Sequence, residues 1–440
     1  MASPAQSVQR SLAARLSLAG RRLLGCAVVS LGVLGVVRAL TVEAFHVPTG
    51  SMAPALLGHH RRCHCPRCGQ VVLVGKPASD TDGTGNSPSY RNAFCTNCGH
   101  HPLPVTNSIV IHGDQIKVDK TAYLRRAPSR WEILVFRLLD AFYIKRLLGL
   151  PGEEIRIHEG EVYANGALCR KTLDQARRMR VLVFEHEKAP AAGWKDRWEY
   201  QAPKPDPADT IEKVLSLRAG STLTYQHFSI DARKCEPIKD EYAYNAGLHA
   251  DSECVHDFMI ETELQPLAGR GSVVLRLCDG QDWVEVHLPI GSGRVAEAFT
   301  WAMNTPGQVH KIAETKKPMV LRTNKRYHVE FAFVDRRLSL AIEGQPWLSA
   351  DLPEPAGRSG VSRPFQVHAN DVEVRLESFR LFRDVHYSQH GRHAVQGKSV
   401  RLGKDQYFML GDNSANSEDS RCWPDEGRVH RNDLIGPVLR

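Results

Sequence analysis

The chain has 440 residues, 42% hydrophobic and 24% charged, with a formal net charge of +8. That composition excludes wholesale disorder and leaves room for roughly two to three domains with cores of their own. The modest positive charge is spread along the chain, so it fits a protein beside a membrane as well as a nucleic-acid binder.

Residues 1–22 carry Arg10, Arg15, Arg21 and Arg22 and no acid, and residues 23–37 are then uncharged and mostly apolar. That run is shorter than the roughly 20 residues that span a bilayer. An anchor over 23–45 is long enough if Arg38 snorkels to an interface. A cleaved signal peptide is the competing reading, but Arg38-Ala39-Leu40-Thr41 lacks a small-x-small end. Basic residues ahead of the segment put the N-terminus in the cytoplasm. The expected topology is therefore a basic cytoplasmic tail, a single pass through the cytoplasmic (inner) membrane and an extracytoplasmic remainder. The lipid membrane is then a partner and nucleic acid is not.

Directly after the anchor comes Val47-Pro48-Thr49-Gly50-Ser51-Met52-Ala53-Pro54. Two prolines and a glycine forbid a regular helix or a central strand, so Ser51 sits on a constrained loop or strand end. Most such segments are simple turns. As a nucleophile, Ser51 would need a base.

Residues 59–105 are cysteine-rich. Cys65-Pro66-Arg67-Cys68-Gly69 and Cys95-Thr96-Asn97-Cys98-Gly99 are two CxxC knuckles around a Gly/Ser/Asp-rich loop at 77–89. Each knuckle can present two thiolates to one ion, so Cys65, Cys68, Cys95 and Cys98 predict a zinc ribbon, with Cys63, His64 and His100 in reserve. Two disulfides are the alternative in an extracytoplasmic compartment. Cys169, Cys235, Cys254, Cys278 and Cys422 show no metal spacing and are expected to be mostly buried apolar residues.

From 109 to 166 short apolar runs alternate with turns. Strands are expected at 109–111, 115–118, 132–136, 141–148 and 161–164, the last followed by the hairpin dipeptide Asn165-Gly166. Ala141-Phe142-Tyr143-Ile144-Lys145-Arg146-Leu147-Leu148 is closed by Gly149-Leu150-Pro151-Gly152. A two-residue period sets Lys145 on one face with Tyr143 and Leu147. Desolvation there would lower the amine's pKa and make Lys145 a general base. The alternative is a lysine that snorkels to the surface.

Residues 171–395 alternate apolar and polar positions at 258–264, 284–288, 327–334, 338–342 and 372–376, with turns at Asp279-Gly280 and Glu343-Gly344. This predicts an inserted antiparallel β-sandwich. After it, residues 404–440 return to a compact pattern: a strand over 406–410 and then Gly411-Asp412-Asn413-Ser414-Ala415-Asn416-Ser417-Glu418-Asp419-Ser420-Arg421.

The Ser51 loop behind an anchor, the Lys145 strand with its Gly-Leu-Pro-Gly turn, and the 411–421 segment occur in an order that resembles the type I signal peptidases. Residues 113–120 and 131–136 resemble that family's core as well. The resemblance covers 23–58, 106–170 and 396–440. It implies a membrane-bound serine endopeptidase that cleaves signal peptides from exported preproteins with a Ser/Lys dyad and no catalytic cofactor. By motif Ser51 is the nucleophile and Lys145 the base. The Ser51 N–H and Thr49 hydroxyl are oxyanion donors, and Ser417 orients the lysine. Asp419 matches an acid that pairs with nearby arginines, for which Arg146 and Arg421 are the candidates, and Asp412 matches a structural aspartate. Ser414-Ala415 departs from the Arg-Asp pair common in the family and leaves the local charge network open.

The expected fold is therefore mainly β. A peptidase domain over 46–58, 106–170 and 396–440 follows one transmembrane helix, interrupted by a zinc ribbon (59–105) and a sandwich (171–395) that resembles laminin-G-like or concanavalin-like domains. A glycan or protein ligand and a purely structural role are both open for the sandwich. Non-catalytic binding on a degenerate scaffold, and a regulatory Ser/Lys protease with a dedicated substrate, are the alternative functions. Both insertions are expected to project away from Lys145.

Overall fold

The computed structural model describes residues 30, 41–77, 88–138, 140–189, 196–201, 213–228, 234–246 and 252–439. The protein is mainly β. A seven-stranded sheet runs in the order Val42–His46, Gln115–Asp119, Leu434–Leu439, Ile133–Leu138, Ala141–Gly149, Gln406–Leu410, Arg428–His430. Strands from both ends of the chain and from its middle thus share one sheet. A smaller sheet orders Ala167–Leu168, Glu161–Ala164, Glu154–His158 and Val400–Arg401. Its tight turn is the expected one, with Asn165 at φ 51° and Gly166 at φ 82°, the conformation that favours Asn-Gly between antiparallel strands.

Most of the expected anchor at 23–45 lies outside the described residues. Its last four positions are corrected: Val42–His46 is a strand paired antiparallel with Gln115–Asp119. In this edge strand Glu43, Ala44 and His46 are exposed, and half-buried Phe45 packs against the cluster of Val47, Met52, Ile116 and Val118. Among the described residues no helix is long and apolar enough to cross a membrane.

The cysteine-rich segment forms a three-stranded sheet in the order Val71–Gly75, His60–His64, Ile109–Ile111. The unit therefore extends beyond 105, because Ile109–Ile111 pairs with His60–His64.

In the large insertion two long strands, Phe258–Cys278 and Phe365–Arg383, pair along most of their length. Register shifts near Glu261, Pro266 and Gly269 bend both strands, as bulges do. Their first and last thirds then serve two layers: 258–264 pairs with Tyr327–Val334 and 271–278 with Asp282–Ile290. Between the layers lie Ile260, Leu264, Val273, Leu275, Val286, Phe331, Leu340, Phe365 and Phe379.

A buried charge cluster joins the large insertion to the smaller sheet and to Trp131. Lys171 Nζ reaches Asp335 at 2.6 Å and Asp384 at 2.8 Å and stands over the Trp131 ring, while Arg358 binds Glu161 at 2.9 Å.

Candidate active site

Ser51 lies on a single 3₁₀ turn, Gly50–Met52, just beyond the first strand, with Ser51 and Met52 buried. Lys145 stands in the strand Ala141–Gly149 opposite Leu134, between Tyr143 and Leu147, whose side chains pack with Phe136, Tyr407, Met409 and Trp423. Its side chain does not snorkel. The Lys145 Nζ lies 2.7 Å from Ser51 Oγ, and both residues are buried. Burial pushes the amine down from its usual value to about 8, Asp419 pulls it up, and Arg421 offsets that pull. The Thr49 hydroxyl is 3.5 Å from Ser51 Oγ.

Of the two candidate arginines, Arg421 takes Asp419 and Arg146 takes Asp412. Arg146 grips Asp412 through Nε and Nη2 at 2.6 and 2.5 Å, and Nη1 donates to the Trp131 carbonyl. Asp419 takes Arg421 alone, through Nε at 2.9 Å and Nη2 at 2.8 Å. The cause is the sheet register: Arg146 lies opposite Leu410, so Asp412, two residues further on, is the carboxylate it meets. Burial alone would raise the Asp419 pKa, but the Arg421 guanidinium outweighs it and holds the carboxyl below its usual value. Two complete ion pairs leave Lys145 without a carboxylate partner among the described residues.

Ser417 makes no hydrogen bond to Lys145 among the described residues. Its hydroxyl is buried without a hydrogen-bond partner. It faces Gly411, where an added Cβ would fall 2.2 Å from Ser417 Oγ and 2.5 Å from the Ser51 carbonyl oxygen. Ser417 follows directly on the turn Ser414–Asn416. The departure at Ser414-Ala415 is resolved within the protein. Ser414 Oγ accepts from Arg421 Nη1 at 2.6 Å and from the Ser388 amide at 2.8 Å, and Arg421 also donates to Ser388 Oγ.

Sequence reasoning missed Asn413 and Asn245. The Asn413 amide N–H donates to the Ser51 carbonyl at 3.0 Å and its Nδ2 to the Gly50 carbonyl at 2.9 Å. Asn245 exchanges two side-chain hydrogen bonds with Asn413, at 2.7 and 2.6 Å. Asn413 stood inside a quoted motif but reads as an ordinary turn residue. Asn245 has no local signal at all.

In the ribbon, Cys65, Cys68, Cys95 and Cys98 bring their sulfurs within 4.8 Å of one another, with 3.4 Å for Cys65–Cys98 and 3.6 Å for Cys68–Cys95, and all are free thiols. Gly69 and Gly99 have φ of 72° and 70°, and their amides bond back to the Cys65 and Cys95 carbonyls. Cys63 stays outside the group and faces the Val72 carbonyl. Of the five other cysteines only Cys278 is buried; Cys169, Cys254 and Cys422 are half-buried and Cys235 is exposed, since each lies near a strand end or in a loop.

The family model for signal peptidases, peptidase S26, matches residues 103–240 and 337–439, more than half of the chain. The chain belongs to that family. The match takes in Lys145 and the 411–421 segment but begins after Ser51. Among similar proteins are the probable signal peptidase I-2 of Synechocystis, 41% identical over 63 residues (12% of this chain, 29% of that protein), and the signal peptidase I of Pseudomonas aeruginosa, 30% identical over 143 residues (31% and 35%). The signal peptidase I of Rickettsia bellii is 28% identical over 132 residues (29% and 34%). The chain spans about a third of the length of these curated relatives.

Solved structures similar to part of the chain include the carbohydrate binding module CBM66 from Bacillus subtilis (TM-score 0.24, 16% identity, 38% of this chain and 83% of that one). Sheep galectin-11 in complex with glycerol gives a TM-score of 0.23 at 9% identity, covering 38% and 98%. Likeness at this level assigns neither a fold nor a ligand to the insertion.

Proposed function

We propose that this protein is a membrane-anchored signal peptidase I that cleaves signal peptides from exported preproteins on the extracytoplasmic side of the cytoplasmic membrane, using Ser51 and Lys145. The observation that carries the reading is the 2.7 Å contact between the two residues in a buried site where the amine titrates near 8. An unpaired, desolvated amine is neutral in a useful fraction of molecules at physiological pH and can take the hydroxyl proton.

In the first step Ser51 Oγ attacks the scissile carbonyl carbon while its proton passes to Lys145 Nζ. The carbonyl oxygen becomes an oxyanion, received by the Ser51 N–H and the Thr49 hydroxyl. Collapse breaks the C–N bond, and Lys145 returns the proton to the departing amine. Water then attacks the acyl-Ser51 ester carbonyl, giving a proton to Lys145; collapse breaks the ester C–O bond, Lys145 returns that proton to Ser51 Oγ, and the carboxyl end leaves. Arg146–Asp412 and Asp419–Arg421 act by satisfying each other, so that neither acid claims the amine.

Zinc is the metal that the four thiols suit. Four sulfurs at about 2.3 Å from one ion in a tetrahedron stand roughly 3.8 Å apart, close to the spacings in the cluster. Disulfides would need about 2.05 Å between sulfurs. Bound there, zinc would fasten the knuckles and take no part in peptide hydrolysis.

The test is preprotein cleavage by the purified full chain in membranes or detergent. The parent should release the mature domain with a new N-terminus after small residues, and Ser51→Ala should not. Equal cleavage by both would end this reading.

A further inference from the structure

We propose that Asn245 and Tyr244, both supplied by the large insertion, position the nucleophile Ser51, and that the cysteine ribbon sets that position through Gly75. The proposal rests on the dyad reading above and goes beyond it: the insertions become part of the machinery that aims the serine.

An amide pair holds the serine turn from one side. Asn413 Nδ2 donates both to the Gly50 carbonyl, at 2.9 Å, and to Asn245 Oδ1, at 2.6 Å, while Asn413 Oδ1 accepts from Asn245 Nδ2 at 2.7 Å. Asn413 and Asn245 are both buried. Turning the Asn413 amide over would set oxygen against the Gly50 carbonyl oxygen, so that carbonyl selects which end of Asn413 faces the serine turn, and the two bonds to Asn245 hold the selected amide in place. The main-chain N–H of Asn413 meanwhile holds the Ser51 carbonyl at 3.0 Å. Two consecutive carbonyls are thus pinned. In a planar trans peptide the N–H points opposite to the carbonyl it shares a plane with. Pinning the Gly50 carbonyl therefore aims the Ser51 N–H away from Asn413, and it is the Ser51 N–H that would receive the oxyanion.

The second constraint is steric. Tyr244 is 1% exposed. An added Cβ on Gly50 would fall 2.3 Å from Tyr244 Cε1, and one on Gly75 would fall 2.3 Å from the same atom. The ring is therefore wedged between the residue before the nucleophile and the last residue of the ribbon strand Val71–Gly75, with Tyr242 stacked on it at 5.8 Å. Only glycine at both positions admits the ring. Ala243 and Ala246, on either side of the pair, share one apolar cluster with Cys63, Cys65, Cys95 and Cys98. Asn97, between the second pair of cysteines, bonds to the Glu185 amide and the Lys188 carbonyl. Ribbon, insertion and serine turn are one packed unit, so a shift of Gly75 is transmitted through a rigid ring to Gly50.

The experiment is a set of full-chain variants read by single-turnover preprotein cleavage and by hydrogen–deuterium exchange of the 47–57 segment. Asn245→Ala should lower kcat about 10- to 100-fold with KM unchanged, the size of effect expected when an oxyanion donor is misplaced, and should speed exchange in 47–57. Gly75→Ala should lower kcat much more in the parent than in Tyr244→Ala, where only the Tyr244 carbonyl oxygen, 2.9 Å from the added Cβ, still crowds it; general destabilisation does not produce that non-additivity. Parent-like kcat and exchange in folded Asn245→Ala, or additive effects of Gly75→Ala and Tyr244→Ala, would overturn the proposal. The exchange readout is independent of chemistry. If Ser51→Ala cleaved like the parent while Asn245→Ala still loosened 47–57, the dyad reading would fall and the positioning would stand.

Discussion

Arg146 takes both oxygens of Asp412 in a buried pair, and its neighbour Lys145 turns to Ser51 instead of to any acid. Adjacent strand residues point to opposite faces, so two consecutive cations are divided between a carboxylate and a hydroxyl. One is fixed as a charge and the other is left to titrate.

The rate of cleavage should therefore follow the neutral fraction of Lys145. Below pH 8 log(kcat/KM) should rise with unit slope, levelling above an apparent pKa near 8. Asp419 raises the amine's pKa and Arg421 lowers it, so Arg421→Gln should move the limb to higher pH and depress activity at pH 7 more than at pH 9. An unmoved limb in Arg421→Gln, measured as a full pH profile, would show that the amine is tuned by burial alone.

For the ribbon, the full chain should carry about one zinc ion, with all four knuckle cysteines unreactive to thiol reagents until a chelator is added. Chelation should lower the unfolding temperature. Metal-free protein whose four cysteines are oxidised in pairs would replace the zinc site with disulfides.

At the joint between the large insertion and the smaller sheet, Lys171 faces Asp335 and Asp384 at under 3 Å, all three buried. Lys171→Met should cost about 3–5 kcal/mol at pH 7, because it leaves buried carboxylates uncompensated. Burial raises both acids to about 6, against the pull of Lys171. For acids raised in the folded state, ionisation costs stability as pH climbs from the unfolded value through about 6. Protonating them reverses that cost, so the Lys171→Met deficit should shrink between pH 7 and pH 4.5. Urea unfolding at both values checks the sign.

What was legible in the sequence was local. The alternation around Lys145 gave a strand with the amine among apolar neighbours, Asn165-Gly166 gave a hairpin, and the two CxxC knuckles gave four sulfurs that do converge. Partner choice was not legible. That Arg146 meets Asp412 and not Asp419 depends on the register of two strands separated by the whole insertion. Ser417 occupies the expected stretch but faces Gly411. The insertions were expected to project away from Lys145, yet Asn245 and Tyr244 close over the serine turn. No periodicity marks such residues, since their role exists only after distant segments pack.

The most direct measurement is single-turnover cleavage of one preprotein by Ser51→Ala, Lys145→Ala and the double variant, at a matched pH above 8. A nucleophile and its base act as a unit, so each single variant should be as slow as the double. Lys145→Ala retaining parent activity, or losses that multiply in the double variant, would contradict the Ser51–Lys145 dyad.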